Sequence, residues 1–231
     1  MKPTSLLFST FLLPGLALAA EPLTVDPESG RNNFSAVFDA PLGERINAVS
    51  SKVGCELTLD GNVLAGSCAV PLSSVMVDNE PTKTEHFQQW ATNKKSKPED
   101  CKLEAKFGGV KFDPPLEGSK GSKFSAEAAF TVCGKARADG GKEKVEGTAM
   151  VLPASGPGST ETVRVRAHIE KFNRDAYKIG PKYTDGWLAR VQQLGPVVAE
   201  NGAIDFSLFA TGAAAAEPAK SPEKKNPAGK K

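Results

Sequence analysis

Between its two ends the chain alternates apolar and polar positions with period two, the mark of strands with one wet face. "FSAVFDA" puts Phe34, Ala36, Phe38 and Ala40 on one side. "VRVRAHIEKF" sets Val163, Val165, Ala167 and Ile169 against Arg164, Arg166, His168 and Glu170, which predicts an exposed His168. "AIDFSLFA" repeats the pattern with Ile204, Phe206 and Leu208. "KLEAKFGG", "KFSAEAAFTV" and "KVEGTAMVL" predict three further strands, bounded by turns rich in Gly, Pro and Lys. About eight strands without strand–helix alternation predict an all-β protein, an antiparallel barrel or sandwich.

Two stretches break the alternation. In "SSVMVDNEPTKTEHFQQW" the segment from Asn79 predicts a short helix, with Asn79 as N-cap and Pro81 in the first turn, where a missing N–H costs nothing. Phe87 and Trp90 lie three residues apart and share a helix face. "DGWLARVQQLGP" predicts a second helix, capped by Asp185 and ended by Gly195-Pro196, with Trp187, Leu188, Val191 and Leu194 as its apolar stripe.

One hairpin can be read in register. "CELTLDGNVLAGSC" places Gly61-Asn62 between two strands, a favoured two-residue turn. Pairing about that turn sets Cys55 opposite Cys68 on a non-hydrogen-bonded pair, within disulfide reach. A turn at Asp60-Gly61 would instead slip the register and separate them. Cys101 and Cys133 begin and end the next hairpin and form the remaining pair. Leu103 and Phe107 share a face with Cys101, whereas Phe124, Phe130 and Val132 differ in parity from Cys133, so this pairing calls for a bulge. Two free thiols are the alternative.

The ends change the picture of charge and compartment. "MKPTSLLFSTFLLPGLALAA" combines Lys2, an apolar run from Leu6 to Leu18 and small residues at Ala17, Ala19 and Ala20. It predicts a secretory signal over residues 1–20, too short and too interrupted by Pro14 and Gly15 to span a membrane. Residues 212–231 are rich in Ala, Pro and Lys and predict a disordered tail. The tail carries net +3 of a whole-chain +2, and the leader +1, leaving −2 for a barrel domain over residues 21–211. No basic face remains to hold nucleic acid. The Lys-rich tail is suited to a peripheral contact with an anionic envelope surface. Four cysteines in an exported chain, with no C-x-x-C, point to disulfides rather than zinc.

Catalytic chemistry is thin. His86 neighbours Glu85, and Glu127 is the other candidate for a buried ionisable group, but neither belongs to a nucleophile or metal-ligand motif. No catalytic residue and no metal site is expected.

In order along residues 22–210, the chain resembles the YceI-like family. "LTVDPESGRNNFSAVF" is similar to that family's opening strand, "INAVSSKVGCELTLDG" to its second and third, and "AVPLSSVMVDNEPTKTEHF" to its strand exit and helix. "FTVCGKARADGGKEKVEGTAMVL", "HIEKFNRDAYKIG" and "GAIDFSLFA" resemble its later hairpin, last crossing and closing strand. Cys133 stands where the family often has His, and the four cysteines and Lys tail are additions. The resemblance implies an eight-stranded lipocalin-like barrel with one or two short helices at its mouth. It implies no enzyme and no cofactor, but a bound long-chain isoprenoid lipid or quinone in a periplasmic or secreted protein. The lining would then come from Phe34, Phe38, Phe87, Trp90, Phe107, Phe124, Phe130, Trp187 and Phe206, with Phe87 and Trp90 either plugging the barrel end or touching the lipid. A barrel filled by its own side chains, serving as an envelope or interaction module, is the competing expectation. An enzyme acting on a lipid in the lumen is a third.

Overall fold

The computed structural model describes residues 20–93, 95–156, 159–184 and 198–212. Almost all of the expected leader, the expected helix carrying Trp187, and the expected tail from residue 213 onward lie outside the described residues. Among the described residues twelve strands and one α-helix follow in order: β1 (Glu21–Val25), β2 (Asn33–Asp39), β3 (Arg45–Ser50), β4 (Gly54–Asp60), β5 (Val63–Pro71), β6 (Met76–Val77), α1 (Pro81–Thr92), β7 (Lys102–Lys111), β8 (Ser122–Val132), β9 (Lys135–Ala136), β10 (Glu143–Leu152), β11 (Thr162–Asn173) and β12 (Asn201–Gly212).

These segments make eight barrel strands, because several are halves of one interrupted strand. β1 and β2 both pair with β12, β4 and β3 pair with those two halves in turn, and β5 and β6 follow on β4 and β3. The ring β1-β4-β5-β7-β8-β10-β11-β12 closes through β1–β12, antiparallel throughout. Closure leaves that ring without an unpaired edge. The break between β1 and β2 is held by the buried Asn32, whose Nδ2 donates to Asp26 O (2.8 Å) and whose Oδ1 accepts from Phe209 N (3.0 Å).

The first hairpin has the register its sequence predicts. Asp60 pairs with Val63 and Cys55 with Cys68, and Gly61 takes φ 56°, the positive value a two-residue turn requires. Cys55 and Cys68 are disulfide-bonded with Cα atoms 4.1 Å apart, the close spacing of a non-hydrogen-bonded pair. Cys101 and Cys133 are also bonded. The bulge expected for that pair is not there: β7 and β8 run unshifted from Leu103↔Val132 to Phe107↔Ala128. Cys133 lies just past β8 at φ 50°, and this left-handed residue turns its side chain to the Cys101 side. Its N–H donates to Lys102 O at 3.0 Å.

Bulges occur elsewhere and reverse which parity faces inward. The β5–β7 register shifts between Leu64 and Gly66, and that of β11–β12 between Ile169 and Phe172. Val163, Val165 and Ile169 are buried as alternation predicts, and Phe172 then points inward from the opposite parity.

The helix differs at its start from the sequence expectation. Glu80, not Asn79, occupies the N-cap and makes no side-chain cap; Pro81 begins the helix. Asn79 lies one residue earlier at φ 57°, a conformation its short polar side chain tolerates. Thr84 fastens the first turn instead, its Oγ1 accepting from Val77 N at 2.9 Å.

Candidate ligand-binding lumen

Eight strands leave an interior just wide enough to be filled by side chains or to hold one small ligand. Here it is neither wholly filled nor continuous. An inner cavity of ≈ 70 Å³ lies among β4, β5, β7, β8, β10, β11 and β12, and every residue lining it is apolar. Phe107, Phe124, Phe130 and Phe206 supply its rings. A larger cavity of ≈ 260 Å³ lies at the mouth, between the β2–β3–β6 side of the barrel, α1 and the segment after β11. Phe34, Phe38, Phe87 and Trp90 line it, with His86 and Lys83 from the same helix.

Two aromatic contacts separate these spaces. Phe34 faces the mouth and Phe206 the inner cavity, with ring centroids 5.4 Å apart. Phe172 faces the mouth and Phe130 the inner cavity, also at 5.4 Å. Each cavity thus takes one ring of each pair, and the pairs form the wall between them. Behind the wall, Tyr177 stacks on Phe172 at 4.8 Å. Its hydroxyl donates to the buried Glu143 (2.7 Å), which also accepts from Arg137 Nη1 (2.9 Å). Burial and the Glu143 carboxylate raise the Tyr177 pKa, so the phenol stays a donor. A satisfied buried network of this kind holds Tyr177 in place behind the wall.

The charges at the mouth differ in depth. Lys83 is paired with Asp78 (2.9 Å), Glu44 (3.1 Å) and Glu80 (3.3 Å) at the rim, and the Asp78 and Glu44 carboxylates raise its pKa. Arg174 is buried, and its guanidinium donates only to main-chain oxygens: Nε to Ala199 O (2.9 Å), Nη1 to Ile179 O (2.7 Å) and Nη2 to Val198 O (2.6 Å). Burial lowers its pKa. Lys135 ties the barrel to the end of α1, its Nζ donating to Ala91 O (2.6 Å); burial, with Lys95 nearby, lowers its pKa to about 8.

The residues expected to line one lumen are therefore divided between two cavities, and Trp187 lies outside the described residues. His86 stands at the cavity rim, while Glu85 accepts from Gln89 (3.0 Å). Glu127 is on the exposed outer surface. His168 is exposed as predicted and bonds Asp205 at 2.8 Å. The sequence reasoning missed Phe172, Arg174, Glu143 and Tyr177. The break in parity after Ile169 was the only signal for Phe172, and nothing local marked Glu143 as buried. Among the described residues no cluster of three or more His, Cys, Asp or Glu side chains could hold a metal ion.

A closed antiparallel barrel with an apolar interior and a helix at its mouth is a lipocalin-like fold. Among solved structures the chain is similar to a polyisoprenoid-binding domain from Saccharophagus degradans implicated in plant cell wall breakdown. The TM-score is 0.55 at 11% identity, over 83% of this chain and 98% of that one, a likeness of fold. No protein-family model matches the chain, and no curated protein sequence does.

Proposed function

We propose that this protein is an exported, non-enzymatic binding protein that holds the chain of an isoprenoid or similar long apolar lipid in its barrel. The observation that carries this is the unfilled apolar interior behind a helix-lined mouth. A dry cavity of about 150 Å³ suffices for a benzene ring, so the ≈ 260 Å³ mouth cavity is large enough for a chain end before anything moves. The competing barrel, filled by its own side chains, would leave no such space. A longer chain needs the Phe34–Phe206 and Phe130–Phe172 wall to turn aside, which joins the inner cavity to the mouth. Phe38, Phe87 and Trp90 would hold the part nearest the entrance, and Phe107 and Phe124 the far end.

Binding of this kind needs burial rather than directed chemistry. Several hundred Å² of apolar chain removed from water contributes ~10 kcal/mol at ~25 cal/mol per Å², before the costs of association. Function as a binding module is also the role ascribed to the Saccharophagus domain. The two disulfides suit an oxidising compartment, in keeping with the expected leader. The test is to purify the protein from its native envelope, extract it with organic solvent and analyse the extract by mass spectrometry. A stoichiometric long-chain lipid is the expected result. Protein that is lipid-free as isolated, and that takes up no isoprenoid added in detergent, would overturn the proposal.

A further inference from the structure

Among the described residues Arg174 is the charged group lining the mouth cavity that has no carboxylate within ion-pair distance. Its residue is 8% exposed, and its guanidinium is ionised at any physiological pH. Buried charges are ordinarily paired, because desolvation of a lone ion is costly. Three main-chain carbonyls orient Arg174 but carry no net charge. The Asp175 and Glu200 carboxylates act on it from beyond ion-pair distance, and both are already paired with Lys182. Of its five N–H donors, the three bonds occupy three and leave two. Besides Arg174, the polar side chains lining this otherwise apolar cavity are Glu44, Lys83 and His86. Lys83, the other cation lining the cavity, already has three carboxylates. Glu44 and Glu80 are about half exposed and Asp78 less so; the field of a buried charge such as Arg174 is screened by salt much less than that of an exposed one.

We propose that the mouth cavity receives an acidic lipid head group, a carboxylate or phosphate, with Arg174 as its counter-ion; this rests on the lumen-binding proposal above. The tail then runs across the ring wall into the inner cavity. A neutral head, an alcohol or a quinone carbonyl, could accept from the guanidinium but would bring it no counter-charge. Charge-assisted bonds are about twice as strong as neutral ones, so the acid is preferred.

The experiment compares three ligands with one chain, farnesol, farnesoic acid and farnesyl phosphate, titrated calorimetrically into the delipidated full-length protein. At least one acid should bind about 10-fold or more tightly than farnesol, and Arg174→Met should erase that difference while farnesol still binds. A preference for farnesyl phosphate over farnesoic acid assigns a phosphate head; equal affinities assign either acid. Equal binding of all three by the wild type, or a preference that survives in Arg174→Met, overturns the head-group site. Failure of all three to bind would refute lumen binding itself, a distinguishable result. Arg174→Met orphans three carbonyls and can fail to fold, so a second measurement uses the wild type alone. Farnesoic acid labelled with ¹³C at its carboxyl is titrated in the complex by NMR. An apolar cavity alone would raise its pKa, whereas a guanidinium partner lowers it. A bound carboxyl that ionises at least one pH unit below the free acid is expected; a raised pKa overturns the proposal.

Discussion

Replacing Phe87 and Trp90 by Ala separates a ligand wall from an ordinary plug. A fully buried Phe or Trp costs about 3–5 kcal/mol when truncated to Ala. Phe34, 1% exposed, belongs to that class. Phe87 and Trp90 are only half-buried, and the fully buried residues of α1 are Ala91 and Thr92. About half the core penalty is expected for each, ~1.5–2.5 kcal/mol. Trp90 should cost the less of the two despite its size, because its removal also deletes a buried N–H that has no acceptor among the described residues. On the ligand side, an aromatic side chain offers about 150–250 Å². If half of that faces the lipid, each ring contributes ~2.5 kcal/mol at ~25 cal/mol per Å². The pair then accounts for ~5 kcal/mol, between three and four powers of ten in Kd. The assay is urea unfolding of the delipidated single and double variants beside titration with a fluorescent polyene lipid, with strand content followed by circular dichroism. Binding should fall far more than the folded fraction. A folded double variant that keeps a full complement of lipid would refute the assignment of α1 to the ligand site. So would affinity that falls only in step with unfolding.

Other outcomes follow from the same structure. Removing the Cys55–Cys68 bridge by Ala substitution should cost ~3 kcal/mol and removing Cys101–Cys133 ~3.7 kcal/mol, from sequence separations of 13 and 32 residues; urea midpoints give the order, and non-reduced protein that takes up alkylating reagent would contradict the bridges. The Lys135 amine has a pKa near 8 folded against 10.5 as the reference, so the unfolded chain holds the extra proton between those values and stability should rise as pH climbs from about 8 to about 10. Lys135→Met should flatten that rise, and an identical pH profile in both proteins would show that the amine is not the source. Gly147→Ala should destabilise by more than ~3 kcal/mol, since the added Cβ would meet Arg166 O at 2.1 Å and the Phe124 ring at 2.5 Å; a melting temperature equal to wild type would refute the close approach.

Much of the barrel was legible because strand faces are a local, period-two property. Phe34, Ala36, Val163, Val165, Ile204 and Leu208 are buried where alternation put them. The Cys55–Cys68 pairing was legible for a related reason: a two-residue turn leaves one register, and register fixes every pair along the hairpin. What alternation could not carry was any place where the parity changes. The shift between Ile169 and Phe172 turned Phe172 into the ring wall, and the left-handed Cys133 did the work expected of a bulge. The helix position was also legible, although its cap was not, because Thr84 reaches back from within the helix. The division of the lumen was decided only by the closed barrel. It depends on which rings from β2, β8, β11 and β12 meet across the interior, at sequence distances no local pattern samples. Arg174 carries the same lesson. In sequence it is one charged residue beside Asp175, where exposure is the ordinary expectation. Its burial, and the carbonyls of Ile179, Val198 and Ala199 that hold it, exist only once distant segments close around the mouth, because burial belongs to the assembled chain and not to the residue.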